Sequence, residues 1–283
     1  MNVPAERAIE LPHLALRALV WGDAALPPLL ALHGWLDNAG SYARLAPRLA
    51  ARRRVIALEL PGHGHSDHLP AGVHYHFVDY VRAVLAAADQ LGLARFDLLG
   101  HSLGAGIAAM AAAAAPARVD RLLLIEGLGP LGDDGTRTLE RFREGIEKPA
   151  NGKGLRVFRD VGQAIAARAV AGGLRADLAR PIVERGLAEV ADGWRWRSDP
   201  RLTRTSPLRL AETQIHALLR GIAAPTALLL ARPATSYLPA GPMARRAACV
   251  ADIAVSHMDG GHHLHLEHPD AVAAWALAHL GAP

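Results

Sequence analysis

Apolar residues along the chain fall into short unbroken runs separated by stretches in which they recur every three or four positions. The runs at 28–35, 55–60, 95–99, 119–125, 225–231 and 251–255 are too short for stable helices. Their lack of alternating polar positions predicts strands buried on both faces. Between them, 41–51, 75–91, 103–115, 240–249 and 269–280 carry helical spacing. Residues 9–21 read as a strand or hairpin of the antiparallel kind that edges a mixed sheet. Regular alternation of strand and helix predicts the α/β class, with a mostly parallel, doubly wound sheet. From 128 to about 219 the pattern changes: 136–147, 155–171, 175–191 and 208–220 are helical or mixed, and no buried strand stands among them. An inserted helical cap is the expectation, with core segments at 1–127 and 220–283 around an insertion at 128–219.

With 283 residues and 51% hydrophobic content, the chain can bury one large core and carry such an insertion. Its 31 basic and 27 acidic residues are scattered, and arginine stands almost everywhere in place of lysine. No basic block with interleaved aromatics appears, so a nucleic-acid partner is not expected. The run Arg52-Arg53-Arg54 reads as the basic end of a helix. A single cysteine, Cys249, excludes an internal disulfide, fits a reducing compartment and is expected as a buried apolar thiol. Residues 1–10 carry charges where a signal peptide needs an apolar run, and no segment approaches 18 uninterrupted apolar residues. A cytoplasmic protein without a membrane partner, monomeric or homodimeric, is the expectation.

The chemistry centres on Phe96-Asp97-Leu98-Leu99-Gly100-His101-Ser102-Leu103-Gly104-Ala105-Gly106. A buried strand turns abruptly at a serine and enters an alanine-rich helix. Glycines two before and two after the serine leave room for so sharp a reversal, which holds Ser102 Oγ up at the carboxyl end of the strand. This is the spacing of a nucleophile elbow.

Four motifs in order then resemble the α/β-hydrolase family, over essentially the whole chain outside the cap: His33-Gly34-Trp35, Pro61-Gly62-His63-Gly64-His65-Ser66, Gly100-His101-Ser102-Leu103-Gly104 and Gly261-His262. The stretch Leu32-His33-Gly34-Trp35-Leu36-Asp37-Asn38-Ala39 is further similar to the serine hydrolase-like subfamily. The resemblance implies an α/β-hydrolase fold and hydrolytic chemistry but not a substrate, and no cofactor is expected. It also implies His262 as the base that activates Ser102, with His263, His265 and His268 as packing or surface residues.

The acid departs from the commonest family pattern. An Asp is expected after the strand that follows the cap, yet Leu230-Ala231-Arg232-Pro233-Ala234-Thr235-Ser236-Tyr237 holds no carboxylate, and Thr235 or Ser236 occupies its place. Glu126, which closes the strand after the elbow helix, is the best substitute, because strand ends at one sheet edge converge on a single crevice. It resembles in position the relocated acid of some haloalkane dehalogenases. A serine at the elbow nevertheless argues against dehalogenase or epoxide hydrolase chemistry, which needs a carboxylate nucleophile. The backbone N–H groups of Trp35 and Leu103 are the candidate oxyanion hole. Trp35, His101, Trp194 and Trp196 are the candidate substrate-contacting side chains, and His33 is expected to orient its loop.

Two other readings stand beside this one. The missing Asp allows a ligand-binding protein with a degenerate triad. His63-Gly64-His65-Ser66-Asp67-His68 resembles the dinuclear metal site of metallo-β-lactamase-fold hydrolases, but strand–helix alternation and an elbow are the wrong context for it. The favoured expectation is a metal-free serine hydrolase of small or medium acyl esters.

Overall fold

In the computed structural model, residues 3–147, 156–235 and 238–281 are described. A hairpin of β1 (Ala5–Leu11) and β2 (Leu14–Trp21) is followed by β3 (Pro28–Leu32), α1 (Ala46–Leu49), β4 (Arg54–Leu58), α2 (Phe77–Gln90), β5 (Phe96–His101), α3 (Leu103–Ala114) and β6 (Val119–Ile125). The cap segment contributes α4 (Thr138–Glu147), β7 (Val157–Phe158), α5 (Val161–Gly172), α6 (Ala176–Gly186), β8 (Leu187–Val190) and β9 (Gly193–Trp196). After it come α7 (Glu212–Leu219), β10 (Thr226–Arg232), α8 (Ala240–Ala247), β11 (Ile253–Asp259), α9 (Leu264–Glu267) and α10 (Pro269–Leu280).

One sheet takes the order β1-β2-β4-β3-β5-β6-β10-β11. Only the β1–β2 and β2–β4 pairings are antiparallel; the rest are parallel. Unbroken apolar strands have a simple cause in this arrangement, since alternate residues feed two different cores. Leu30, Leu32, Ile56, Leu58, Leu98, Leu122 and Leu124 face a cluster covered by α2, α3, α7 and α8. Leu29, Ala31, Val55, Ala57, Leu99, Leu123 and Ile125 face a second, covered by α1 and α10. The order in which strands are added to the sheet reverses between β3 and β5, which lie side by side and parallel, so the loops leaving both carboxyl ends open onto one crevice.

Several expectations need correction. The stretch 41–51 is not one helix: it forms a 3-10 turn at Ala39–Tyr42 and then α1. Pro47 is the reason, since its ring has no N–H to give and collides with the preceding turn. The cap is not wholly helical, because β7, β9 and β8 form a small antiparallel sheet. Trp194 and Trp196 turn inward while Arg195 is exposed, the period of two that marks a strand rather than a helix. Cys249 is half-buried just past α8, with Sγ 3.4 Å from the Arg245 carbonyl, and is not a core thiol. Arg53 is buried rather than a surface helix end: Nε donates to Asp97 Oδ2 at 2.9 Å and Nη2 to the Leu280 carbonyl at 2.5 Å. Among the described residues no helix is long and apolar enough to cross a membrane.

Four fully buried histidines, His33, His63, His101 and His265, have imidazoles that burial pushes below their ordinary pKa of 6.5. For His63 and His265 the value falls to about 3. As pH drops below 6.5 the unfolded chain binds protons that the folded chain refuses, so stability is lost on acidification, by at most about 1.4 kcal/mol per pH unit for each such histidine. Urea unfolding free energy should therefore already fall between pH 7 and pH 5, above the range in which most carboxylates titrate. A flat profile over that interval contradicts neutral burial of these rings.

Candidate active site

β5 ends at His101 and α3 begins at Leu103, which leaves Ser102 alone to reverse the chain. It does so with φ 53° and ψ −115°, a left-handed-side conformation that costs about 1–3 kcal/mol for a residue with a side chain. The surrounding backbone fixes it there. Ser102 N–H still donates to the Ile125 carbonyl at 2.9 Å, completing the ladder to β6, and its own carbonyl accepts from Gly106 N–H at 3.0 Å. A Cβ at Gly100 would stand 2.4 Å from the Gly104 carbonyl oxygen, and one at Gly104 would stand 2.1 Å from that of Leu32. Both glycines are dictated by close backbone approach.

The next strand repeats the device. Glu126 follows the last residue of β6, donates its N–H to the Leu229 carbonyl at 2.9 Å, and turns with φ 53°. Its side chain is driven into the crevice and is only 2% exposed. Both carboxylate oxygens are occupied. Oε1 accepts from Ala231 N–H at 2.6 Å, and Oε2 accepts from the Thr235 hydroxyl at 3.4 Å and from His262 Nδ1–H at 3.1 Å. His262 lies on the loop between β11 and α9, and its Nε2 is 2.8 Å from Ser102 Oγ. A carboxylate accepts and does not donate, so the proton sits on Nδ1 and the Nε2 lone pair faces the hydroxyl.

The three side chains singled out by sequence, Ser102, His262 and Glu126, thus meet in one hydrogen-bonded line. Thr235, which occupies the place expected of an Asp, braces the glutamate, a contribution no sequence feature announced; Ser236 lies outside the described residues. His33 donates from Nδ1 to the Gly34 carbonyl at 2.8 Å and accepts at Nε2 from Leu60 N–H at 3.1 Å. Both ring nitrogens are spent on loop geometry. Trp35 is 52% exposed beside the crevice, and its indole N–H donates to the Leu202 carbonyl at 3.0 Å. Leu103 opens α3, so its backbone N–H has no helical acceptor.

The other candidate substrate contacts are not presented to a substrate at the triad. His101 is 1% exposed and packs beneath it, so it offers no surface to a substrate. Trp194 and Trp196 pack on the cap's own core, with Trp196 edge-on to Phe158 at 5.4 Å between ring centroids. The His63–His68 motif does not converge either. His63 Nδ1 donates to the Pro61 carbonyl, His65 faces Glu6, Asp67 accepts from Ala15 N–H, and His68 donates from Nε2 to the Arg197 carbonyl. Among the described residues no group of three or more His, Cys, Asp or Glu side chains is arranged to hold a metal ion.

Known proteins place this architecture. Residues 27–150 match the family model described as alpha/beta hydrolase fold. A serine hydrolase-like protein of Danio rerio is 32% identical over 282 residues, covering 95% of this chain and 86% of its own. The chain belongs to the serine hydrolase-like family of α/β hydrolases. A probable serine hydrolase of Drosophila melanogaster is 29% identical over 97% of this chain and 87% of its own. Among solved structures, a hypothetical protein from Pseudomonas aeruginosa PAO1 superposes with a TM-score of 0.89 at 38% identity, covering 95% of this chain and 96% of that one. In this member of the family, the elbow tolerates no enlargement at its glycines. Gly104→Ala is expected to lose at least about 3 kcal/mol in urea unfolding, or to fail to fold, because the new methyl meets backbone that cannot move aside. Stability within about 0.5 kcal/mol of the native protein would contradict the close packing of α3 on β3.

Proposed function

We propose that the protein hydrolyses carboxylic esters of small or medium acyl groups through an acyl-enzyme intermediate. A serine hydroxyl is a weak nucleophile at neutral pH and needs a base within hydrogen-bond reach. The 2.8 Å contact from His262 Nε2 to Ser102 Oγ carries this reading, because it is the contact a proton transfer requires. Ser102 Oγ attacks the ester carbonyl carbon while its proton passes to His262 Nε2. Glu126 holds the ring in the tautomer that can accept that proton, and its charge stabilises the imidazolium that results. The carbonyl oxygen, now an oxyanion, takes hydrogen bonds from the backbone N–H groups of Leu103 and Trp35. Such donors typically lower the barrier by about 3–4 kcal/mol each. Collapse expels the alcohol, which receives the proton from His262. Water, activated by the same imidazole, then releases the acid and restores Ser102.

Half-exposed Trp35 beside the crevice supports an apolar acyl group rather than a charged one. A ladder of p-nitrophenyl esters of increasing chain length and a fluorophosphonate probe test the proposal together. The native protein should turn over short or medium esters and be labelled, and Ser102→Ala should lose both. Glu126→Gln should reduce kcat at least about a hundredfold with an unchanged melting temperature, since the wrong tautomer is then favoured. Absence of both labelling and turnover in the native protein would favour a ligand-binding protein that keeps the triad without using it.

A further inference from the structure

Directly beneath the triad lies a set of buried polar side chains to which the steps above give no role. His101 stands immediately before the nucleophile, and its ring centroid is 4.8 Å from that of His262, 5.1 Å from His263 and 4.3 Å from His265. Its Nε2–H donates to the backbone carbonyl of His262 at 2.9 Å. A carbonyl only accepts, so the proton is on Nε2. Burial, reinforced by His265, His262 and His263, holds the imidazole well below its ordinary pKa, which keeps it a neutral ring with one N–H and one lone pair.

The opposite edge of the ring presses on the loop that carries Trp35. A Cβ at Gly34 would stand 2.9 Å from His101 Nδ1, so the glycine there is the condition for the imidazole to lie flush under the loop. Asp37, two residues beyond Trp35, closes that loop by donating its N–H to the Gly34 carbonyl at 3.1 Å. Its Oδ2 faces His101 Nδ1 at 3.9 Å and His263 Nε2 at 3.7 Å, and the Ser41 hydroxyl donates to it at 3.4 Å. Its Oδ1 pairs with Arg168 of α5 in the cap. Although burial pushes the Asp37 carboxyl up, the His263 side chain and the Arg168 guanidinium more than reverse this and hold it well below the usual carboxylate range. A buried anion in the loop thus ties it to the cap through Arg168.

We propose that His101 is a positioning residue that sets the separation between the base loop at His262 and the oxyanion loop at Trp35, holding one by a hydrogen bond and the other by contact. This rests on the serine hydrolase reading above. The consequence follows from the steepness of catalysis with distance: a displacement of about 1 Å at a reacting group costs on the order of a hundredfold in rate.

Three substitutions in the full chain test it. His101→Leu fills a similar volume without a donor. His101→Gln places an amide N–H near the position of Nε2, and His101→Asn, being shorter, places one near Nδ1. Against the best p-nitrophenyl ester, with active sites counted by fluorophosphonate labelling, kcat per labelled site should fall tenfold or more in the Leu and Asn variants. KM should stay within twofold, and the Gln variant should return to within about threefold of native kcat. Should the Leu variant not fold, the Gln–Asn pair makes the same distinction with polar side chains in both. Equal kcat per labelled site in all folded variants would overturn the proposal, and so would equal loss in Gln and Asn. If the native protein neither labels nor turns over esters, the hydrolase reading fails, and NMR of the low-field His262 Nδ1 proton bonded to Glu126 decides positioning on its own. That signal should persist in the Gln variant and broaden or vanish in the Asn and Leu variants; an unchanged signal in all three contradicts the proposal.

Discussion

The site depends on two residues held in the same unfavourable backbone conformation at the ends of adjacent parallel strands. Ser102 after β5 and Glu126 after β6 each make one last ladder hydrogen bond and then turn with φ 53°. A residue continuing either strand in extended geometry would keep its side chain in the sheet's own packing. The positive φ instead throws both side chains over the sheet edge, towards the loop that carries His262. Strain of about 1–3 kcal/mol at each position is small beside the burial of a sheet whose central leucines are worth about 1.5–3 kcal/mol apiece. Neither turn survives apart from that sheet.

Placing the carboxylate after β6 changes what its neighbours must supply. A buried carboxylate is costly unless its oxygens are satisfied. Here the backbone N–H of Ala231 and the Thr235 hydroxyl provide donors from β10 and the loop after it, so the strand end where an Asp is commonest serves the glutamate instead. The same logic recurs where the cap meets the core. Fully buried Glu59 accepts from Arg185 of α6 through two bonds, at 2.7 and 2.9 Å, and from the N–H groups of Ala39 at 3.2 Å and His65 at 2.9 Å. Asn38 Nδ2 donates to the Ile182 carbonyl at 2.8 Å on the same helix. Removing one partner of such a buried ion pair typically costs about 3–5 kcal/mol. These contacts make the cap a fixed roof at α6, anchored beside the Trp35 loop.

Sequence reasoning reached the sheet because a strand buried on both faces is an unbroken apolar run, and β3 to β6 are such runs. It reached Ser102 and Glu126 because each closes or follows a strand next to glycine, where a polar residue has no packing reason to be, and it reached His262 through the resemblance to the α/β-hydrolase family, among several histidines in the same stretch. It stopped where the deciding contact is distant in the chain. His101, beside the nucleophile, reads as a substrate contact, and nothing near it in sequence announces the carbonyl of His262, 161 positions away, as its acceptor. Arg168 and Asp37 are 131 positions apart, and nothing in the sequence around either one pairs them. The β8–β9 hairpin was hidden for the opposite reason: its four-residue strands are too short for a period of two to stand out against the helical stretches on either side. Pro47, by contrast, was in plain view as a reason to break the helix expected over 41–51.

The central claim is that Glu126 acts on the reaction only through His262, and a double-mutant cycle on ester turnover measures this most directly. Groups that work as one unit are strongly non-additive. With His262→Ala already made, adding Glu126→Gln should change the residual kcat/KM by no more than about twofold, although the same substitution in the native protein is severe. Losses that multiply, so that the double variant falls below His262→Ala by the full factor seen for Glu126→Gln alone, would contradict the account.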